Sequence, residues 1–261
     1  MAKKQGRNYL IIQNGRRYME NLVDSVKNHG KGGNKVTKLD VKKVLDQKPD
    51  YFQQYDAIVF SGGSGNNNKA HDYIIDNAKP NTTIVGVCRG HQYIAEKYGG
   101  TVEKLEERQK GKKKVIVSKE HDLFKQDGKA MYSEDKELEM YKDHIQGVTN
   151  PGELEVLAYS TVDSKNKEHK DGKAKIAEVV KHKTRNIYGI QAHPEMGGHG
   201  THVLNNILDG VYTTEKTDEG PVDFQKGKAG IDAKKEQIEK IKKALEGKAD
   251  YQEPGYDKKA S

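Results

Sequence analysis

Thr83-Ile84-Val85-Gly86-Val87-Cys88-Arg89-Gly90-His91-Gln92 is an apolar, β-branched run that ends in a cysteine with glycine two positions away on either side. The run predicts a buried strand, and residues 91–98, closed by Gly99-Gly100, predict a helix, so Cys88 stands at a strand-to-helix corner. Such a corner strains its central residue, and glycine at 86 and 90 removes side chains that would block the close approach of neighbouring backbone. The sulfur would then project beyond the carboxyl end of the strand, where open α/β sheets bind ligands. It would also sit at a helix N-terminus, whose partial positive charge favours the reactive thiolate. Spacing alone leaves two readings open, a nucleophile and a small buried core residue.

Outward from this corner, short apolar runs recur and several are followed by helix-like segments, the pattern of a sheet covered by helices. Residues 9–12 read as a strand, and 17–28 carry Met19, Leu22, Val23 and Val26 at helical spacing before a glycine-rich stretch at 30–33. Residues 36–39 read as a second strand, and Ala57-Ile58-Val59-Phe60 runs directly into the glycine turn Ser61-Gly62-Gly63-Ser64-Gly65. In the second half, strands are expected at 115–117, 155–159, 174–180 and 186–190, separated by polar turns such as Asn150-Pro151-Gly152, and a helix at 201–208. The expected fold is a flavodoxin-like open, mostly parallel sheet flanked by helices, with an added antiparallel section.

The chain has 261 residues, of which 33% are hydrophobic and 33% charged, with a net charge of +7. Residues 213–261 carry eleven lysines and eleven acidic residues, which leaves 35 basic against 28 acidic residues in 1–212. We therefore expect a catalytic domain over 1–212 and a charged, weakly ordered tail over 213–261, with Asp232 and Gly247 bracketing a candidate helix at 232–246. Of the 46 basic residues 40 are lysine, which lacks the planar fork suited to bidentate phosphate or base recognition, so nucleic acid is not the expected partner. The densest patch, Lys110-Gly111-Lys112-Lys113-Lys114, reads as a solvated loop. A lone cysteine excludes an intramolecular disulfide and fits a reducing cytoplasm. No apolar run approaches the roughly 18 residues of a membrane span.

A base for Cys88 is found in Tyr188-Gly189-Ile190-Gln191-Ala192-His193-Pro194-Glu195. The histidine can take the thiol proton on one ring nitrogen while a carboxylate two residues on holds the other and fixes the tautomer. Pro194 stiffens the link. His199 and His202 lack zinc-site spacing and read as ordinary polar residues, so no metal is expected.

The two motifs together resemble the class I, or triad, glutamine amidotransferases. That family has a glycine-x-cysteine-x-glycine-x-glutamine elbow about a hundred residues before histidine-proline-glutamate; here 105 residues separate Cys88 from His193. The resemblance spans residues 8–210 and implies a Cys88, His193, Glu195 triad. It implies an oxyanion hole from the backbone of Gly63 and Arg89, and substrate contacts at Gly62, Gln92 and His144, the last in a loop Tyr141-Lys142-Asp143-His144-Ile145-Gln146. Two departures are present: Ser64 replaces the proline that often follows the paired glycines, and Ala192 replaces the common aromatic before the histidine.

The resemblance further implies glutamine hydrolysis through a cysteinyl thioester without a cofactor. The ammonia would pass to a synthetase on another chain, as in the glutaminase subunits of GMP synthase or anthranilate synthase. Cys88-Arg89-Gly90-His91-Gln92 is also similar to the γ-glutamyl hydrolases, which implies as an alternative a stand-alone hydrolase of γ-glutamyl compounds. A non-catalytic, amidotransferase-like binding subunit is the third reading.

Overall fold

Successive side chains of a strand point to opposite faces, and in β1 (Asn8–Gln13) both sets are buried: Tyr9 and Ile11 in one core, Leu10 and Ile12 in another. A strand covered on both faces reads as an unbroken apolar run, so the sheet must carry helices on each side. The computed structural model, which describes residues 6–30, 33–65 and 67–210, has that arrangement.

After β1 the chain forms α1 (Met19–Lys27), β2 (Lys35–Asp40), β3 (Ala57–Phe60), α2 (Asn68–Asn77), β4 (Thr83–Val87) and α3 (Arg89–Lys97). A long strand β5 (Thr101–Val117), a small hairpin of β6 (Lys125–Gln126) and β7 (Lys129–Ala130), and β8 (Glu137–Asn150) follow. The described chain finishes with β9 (Glu155–Asp163), β10 (Lys173–Lys181), β11 (Ile187–Ile190) and α4 (His199–Asp209). The main sheet runs β2-β1-β3-β4-β11-β10-β9-β5-β8. Its first five strands are mutually parallel, and every pairing from β11 onward is antiparallel.

Met19, Leu22 and Val26 of α1 and Val203, Leu204, Ile207 and Leu208 of α4 pack on one face. Ile74 and Ile75 of α2 and Ile94 and Ala95 of α3 pack on the other. Each fully buried aliphatic side chain stabilises the fold by about 1.5–3 kcal/mol. Helix α2 has no counterpart in the expected elements, because its polar start Asn68-Lys69 follows a glycine and asparagine run that reads as loop.

Two expectations are corrected. Lys110–Lys114 is not a loop before a short strand but the middle of β5, and Lys112 and Lys114 pair across the ladder with Glu139 and Glu137. The histidine-bearing stretch 141–146 likewise lies within β8 and not in a loop. Cross-strand pairing hides such strands from a reading that looks for apolar runs, since lysine and glutamate are poor strand formers when taken alone. The boundary at 212 and the tail with its helix at 232–246 lie outside the described residues.

In the ladder the β5–β8 ribbon pairs with β9 at Ile116 and Val117, and β8 packs back over β10. Lys142 of β8 donates to Ser160 of β9 and to Glu178 of β10, and Ser160 donates to the same carboxylate oxygen of Glu178. Glu178 falls in a register shift between Ala177 and Val179, a bulge that re-aims its side chain. The Lys142 and Glu178 side chains are 1% and 0% exposed. Burial pushes the Glu178 carboxyl up, but Lys142, His144 and Ser160 outweigh it and hold it below the usual range. Its stabilising contribution is therefore present above that range and is lost as pH falls through the depressed value. Lys142→Met leaves a lone buried carboxylate and is expected to cost about 3–5 kcal/mol in urea unfolding, whereas Lys142→Met with Glu178→Leu is expected to regain most of it.

Candidate active site

The turn between β4 and α3 is as tight as its sequence demands. Cys88 has φ 51° and ψ −103°, a conformation that costs a non-glycine residue about 1–3 kcal/mol. Side chains at the flanking positions would abolish it, because a Cβ on Gly86 would lie 2.4 Å from the Gly90 carbonyl carbon and one on Gly90 would lie 2.3 Å from the Phe60 oxygen. The Cys88 N–H donates to Ile190 O at 2.8 Å and its carbonyl accepts from the Gln92 N–H. The elbow is thus tied to β11 on one side and to its own helix on the other.

Strand β11 carries the chain to His193, whose N–H donates to Tyr141 O at 2.8 Å. The turn Pro194–Met196 brings Glu195 back so that its Oε1 meets His193 Nδ1 at 2.8 Å. Burial by itself would lower the imidazole pKa, but the neighbouring Cys88 and Glu195 outweigh this and push it up to about 10. The side chains of His193 and Glu195 are 5% and 2% exposed, so these interactions act where water screens them little.

Gly62 covers this pair, and a Cβ there would lie 3.0 Å from His193 Cε1 and 3.5 Å from Cys88 Cβ. The loop is held by Asn14, whose N–H donates to Ser61 Oγ and whose side-chain amide donates to Ser61 O. Beside it opens a cleft of about 470 Å³ to which Gly63, Cys88, Arg89, Gln92, Arg108, Asp143 and His144 contribute. The amide of Gln92 donates to Gln146 O and Gln191 Oε1 and accepts from Arg89. His144 Nδ1 meets Gln146 O at 2.8 Å; a carbonyl only accepts, so the proton is on Nδ1. Burial holds the His144 pKa below its ordinary value.

Known proteins resemble the chain over most of its length. Residues 10–211 match the model of the family described as glutamine amidotransferase class-I. The chain belongs to that family. It is 31% identical to the glutamine-hydrolyzing GMP synthase subunit of Methanocaldococcus jannaschii over 76% of this chain and 94% of that protein. The corresponding subunit of Methanococcus aeolicus is 29% identical over the same shares. Among solved structures, a candidate GMP synthase subunit of Thermoplasma acidophilum superposes with a TM-score of 0.62 at 21% identity, covering 79% of this chain and 94% of that one.

Every residue singled out from the amidotransferase motifs lies in this one region. Four others were not: Arg17, Tyr18, Arg108 and Asp143. The Tyr18 ring meets His193 edge-on with centroids 4.8 Å apart, and its hydroxyl donates to Asp143 Oδ2 at 2.9 Å. Asp143 also accepts from Arg17 and from Arg108. Tyr18 sits at φ 58°, the left-handed region, at the start of α1. No spacing rule marks it, because its partners come from β8 and the turn after β11. His199 accepts the Glu139 N–H on Nδ1, an ordinary polar contact at the start of α4.

His193 is expected to remain protonated at pH 8 in ring ¹⁵N spectra and to become neutral there in Cys88→Ala, which removes the neighbouring sulfur that helps to raise it. Because its folded value lies above the ordinary 6.5, the stability it contributes is full below about 6.5 and is lost as pH rises through about 10. Gly62→Ala should leave the unfolding midpoint nearly unchanged but, by displacing the imidazole, lower kcat/KM for the amide substrate about 10²-fold in steady-state assays.

Proposed function

We propose that the chain is a glutaminase subunit: it hydrolyses the side-chain amide of glutamine and passes the ammonia to a synthetase on a separate chain. One observation carries the chemistry, a cysteine held at positive φ over a cleft beside a histidine that a carboxylate orients. The family match and the names of the relatives, glutamine-hydrolyzing subunits of GMP synthase, support both the substrate and a synthetase of that type.

In this reading the Cys88 thiolate attacks the amide carbon of glutamine, and the carbonyl electrons move to oxygen. The N–H of Arg89, the first residue of α3, has no acceptor within its own helix and is assigned to that oxyanion together with the N–H of Gly63. His193 gives its proton to the amide nitrogen, the C–N bond breaks, and ammonia leaves a glutamyl thioester on Cys88. Water that loses a proton to His193 then attacks the thioester; the C–S bond breaks, releasing glutamate and restoring the thiolate. Glu195 holds the imidazole in one orientation throughout.

Gln92 and His144 act by shaping the substrate wall, since both are joined to Gln146 O, Gln92 from α3 so that it ties β8 to that helix and His144 from within β8. The half-reaction needs no group beyond the chain's own. Among the described residues no helix is long and apolar enough to cross a membrane. We place the protein in the cytoplasm, where a reduced Cys88 persists.

Purified chain is expected to release ammonia and glutamate from L-glutamine slowly alone and faster with its synthetase, and Cys88→Ala is expected to lower the rate more than ~10³-fold while leaving circular dichroism unchanged. Full turnover of γ-glutamyl peptides by the chain alone would instead assign it to the hydrolases. Hydrolysis that survives Cys88→Ala would remove the nucleophile from its role.

A further inference from the structure

Between Lys104 and Gln109 the pairing of β5 with β8 breaks: Lys104 faces Gln146 and Gln109 faces His144, so the four residues 105–108 stand opposite Ile145 alone. A bulge of this kind bends its strand and re-aims a side chain. Here it brings Arg108 to the cleft that Cys88 lines. Arg108 grips Asp143 Oδ1 through Nε at 2.7 Å and a terminal nitrogen at 2.6 Å, which orients the guanidinium and leaves donors on its other edge.

Three facts define what this fork can bind. Asp143 is already shared: Arg17 and Tyr18 take Oδ2 while Arg108 takes Oδ1, and the carboxylate is 0% exposed. Two guanidiniums therefore divide one negative charge, and a positive charge remains uncompensated. Arg89, the other cation on the cleft, is committed elsewhere, stacked 4.3 Å over the Tyr93 ring and bonded to Gly65 O and Gln92 Oε1. Arg108, with its side chain 49% exposed, is the lining cation that retains room for an anion.

Resting on the glutaminase reading, we propose that Arg108 is a specificity-determining residue that binds the α-carboxylate of the glutamine substrate, with Asp143 as the group that positions it. A carboxylate matches the planar fork in a way that a neutral amide does not. The substrate is thereby held at both ends, its amide carbon at Cys88 and its carboxylate at the bulge of β5.

The test uses the full chain and two alkylating probes for Cys88, followed by intact mass: the diazoketone analogue of L-glutamine, which carries the α-carboxylate, and iodoacetamide, which does not. Arg108→Gln is expected to slow diazoketone labelling about 10- to 100-fold, Arg108→Lys to slow it less, and iodoacetamide labelling to stay as in the wild type. With L-glutamine, the same loss is expected in KM and not in kcat. Equal slowing of both probes, or no slowing of either, would overturn the assignment. Wild-type chain that reacts with iodoacetamide but not with the diazoketone would overturn the glutaminase reading itself and this inference with it.

Discussion

The elbow at Cys88 exists because three pieces of backbone come closer together than side chains permit. Gly86 presses on Gly90, and Gly90 presses on Phe60 at the end of β3, so β3, β4 and α3 share one tightly packed corner. The cost of the positive φ at Cys88 is met by that packing and by the bond to Ile190, which also brings β11 alongside. The rest of the site is measured from here. Gly62 follows β3 and lies against the side chains of Cys88 and His193, the latter carried in by β11.

The second constraint is the ribbon of β5 and β8. Its ladder pairing with the rest of the sheet spans two residue pairs, yet it supplies one wall of the cleft. The buried Lys142–Glu178 pair with Ser160 fixes its height over β10, and the Tyr141 carbonyl then meets the His193 N–H. An ion pair with so little solvent around it adds little net stability over apolar residues, but it is severe on any other register, since a slip would leave a charge unpaired in the core.

The parallel half was legible because its signals are local. The strands at 57–60 and 83–87 lie where their apolar runs lie, and the stripe of Met19, Leu22 and Val26 faces the core as its spacing requires. The ribbon was not. Lys110, Lys112, Lys113 and Lys114 form strand because each pairs with a residue of β8, some thirty positions away, and no periodicity within the run encodes that partner. Helix α2 was hidden for a related reason: its first turn is largely polar, and Ile74 and Ile75 find their core in strands before and after it.

At the site, chemistry with a fixed spacing could be read directly. Glycine, cysteine and glycine at alternate positions after an apolar run define a corner, and a carboxylate two residues after a histidine can fold back on it, because both depend on a few consecutive dihedral angles. Tyr18, Arg17, Arg108 and Asp143 have no such spacing. They come from the start of α1, a bulge in β5 and the middle of β8, and only the tertiary fold places two guanidiniums and a phenol on one buried carboxylate beside His193. The sequence by itself determined the cysteine elbow and the histidine–carboxylate pair, because local backbone geometry presents them. The tertiary structure decided what surrounds them, because burial, pairing and charge compensation are set by residues far apart along the chain.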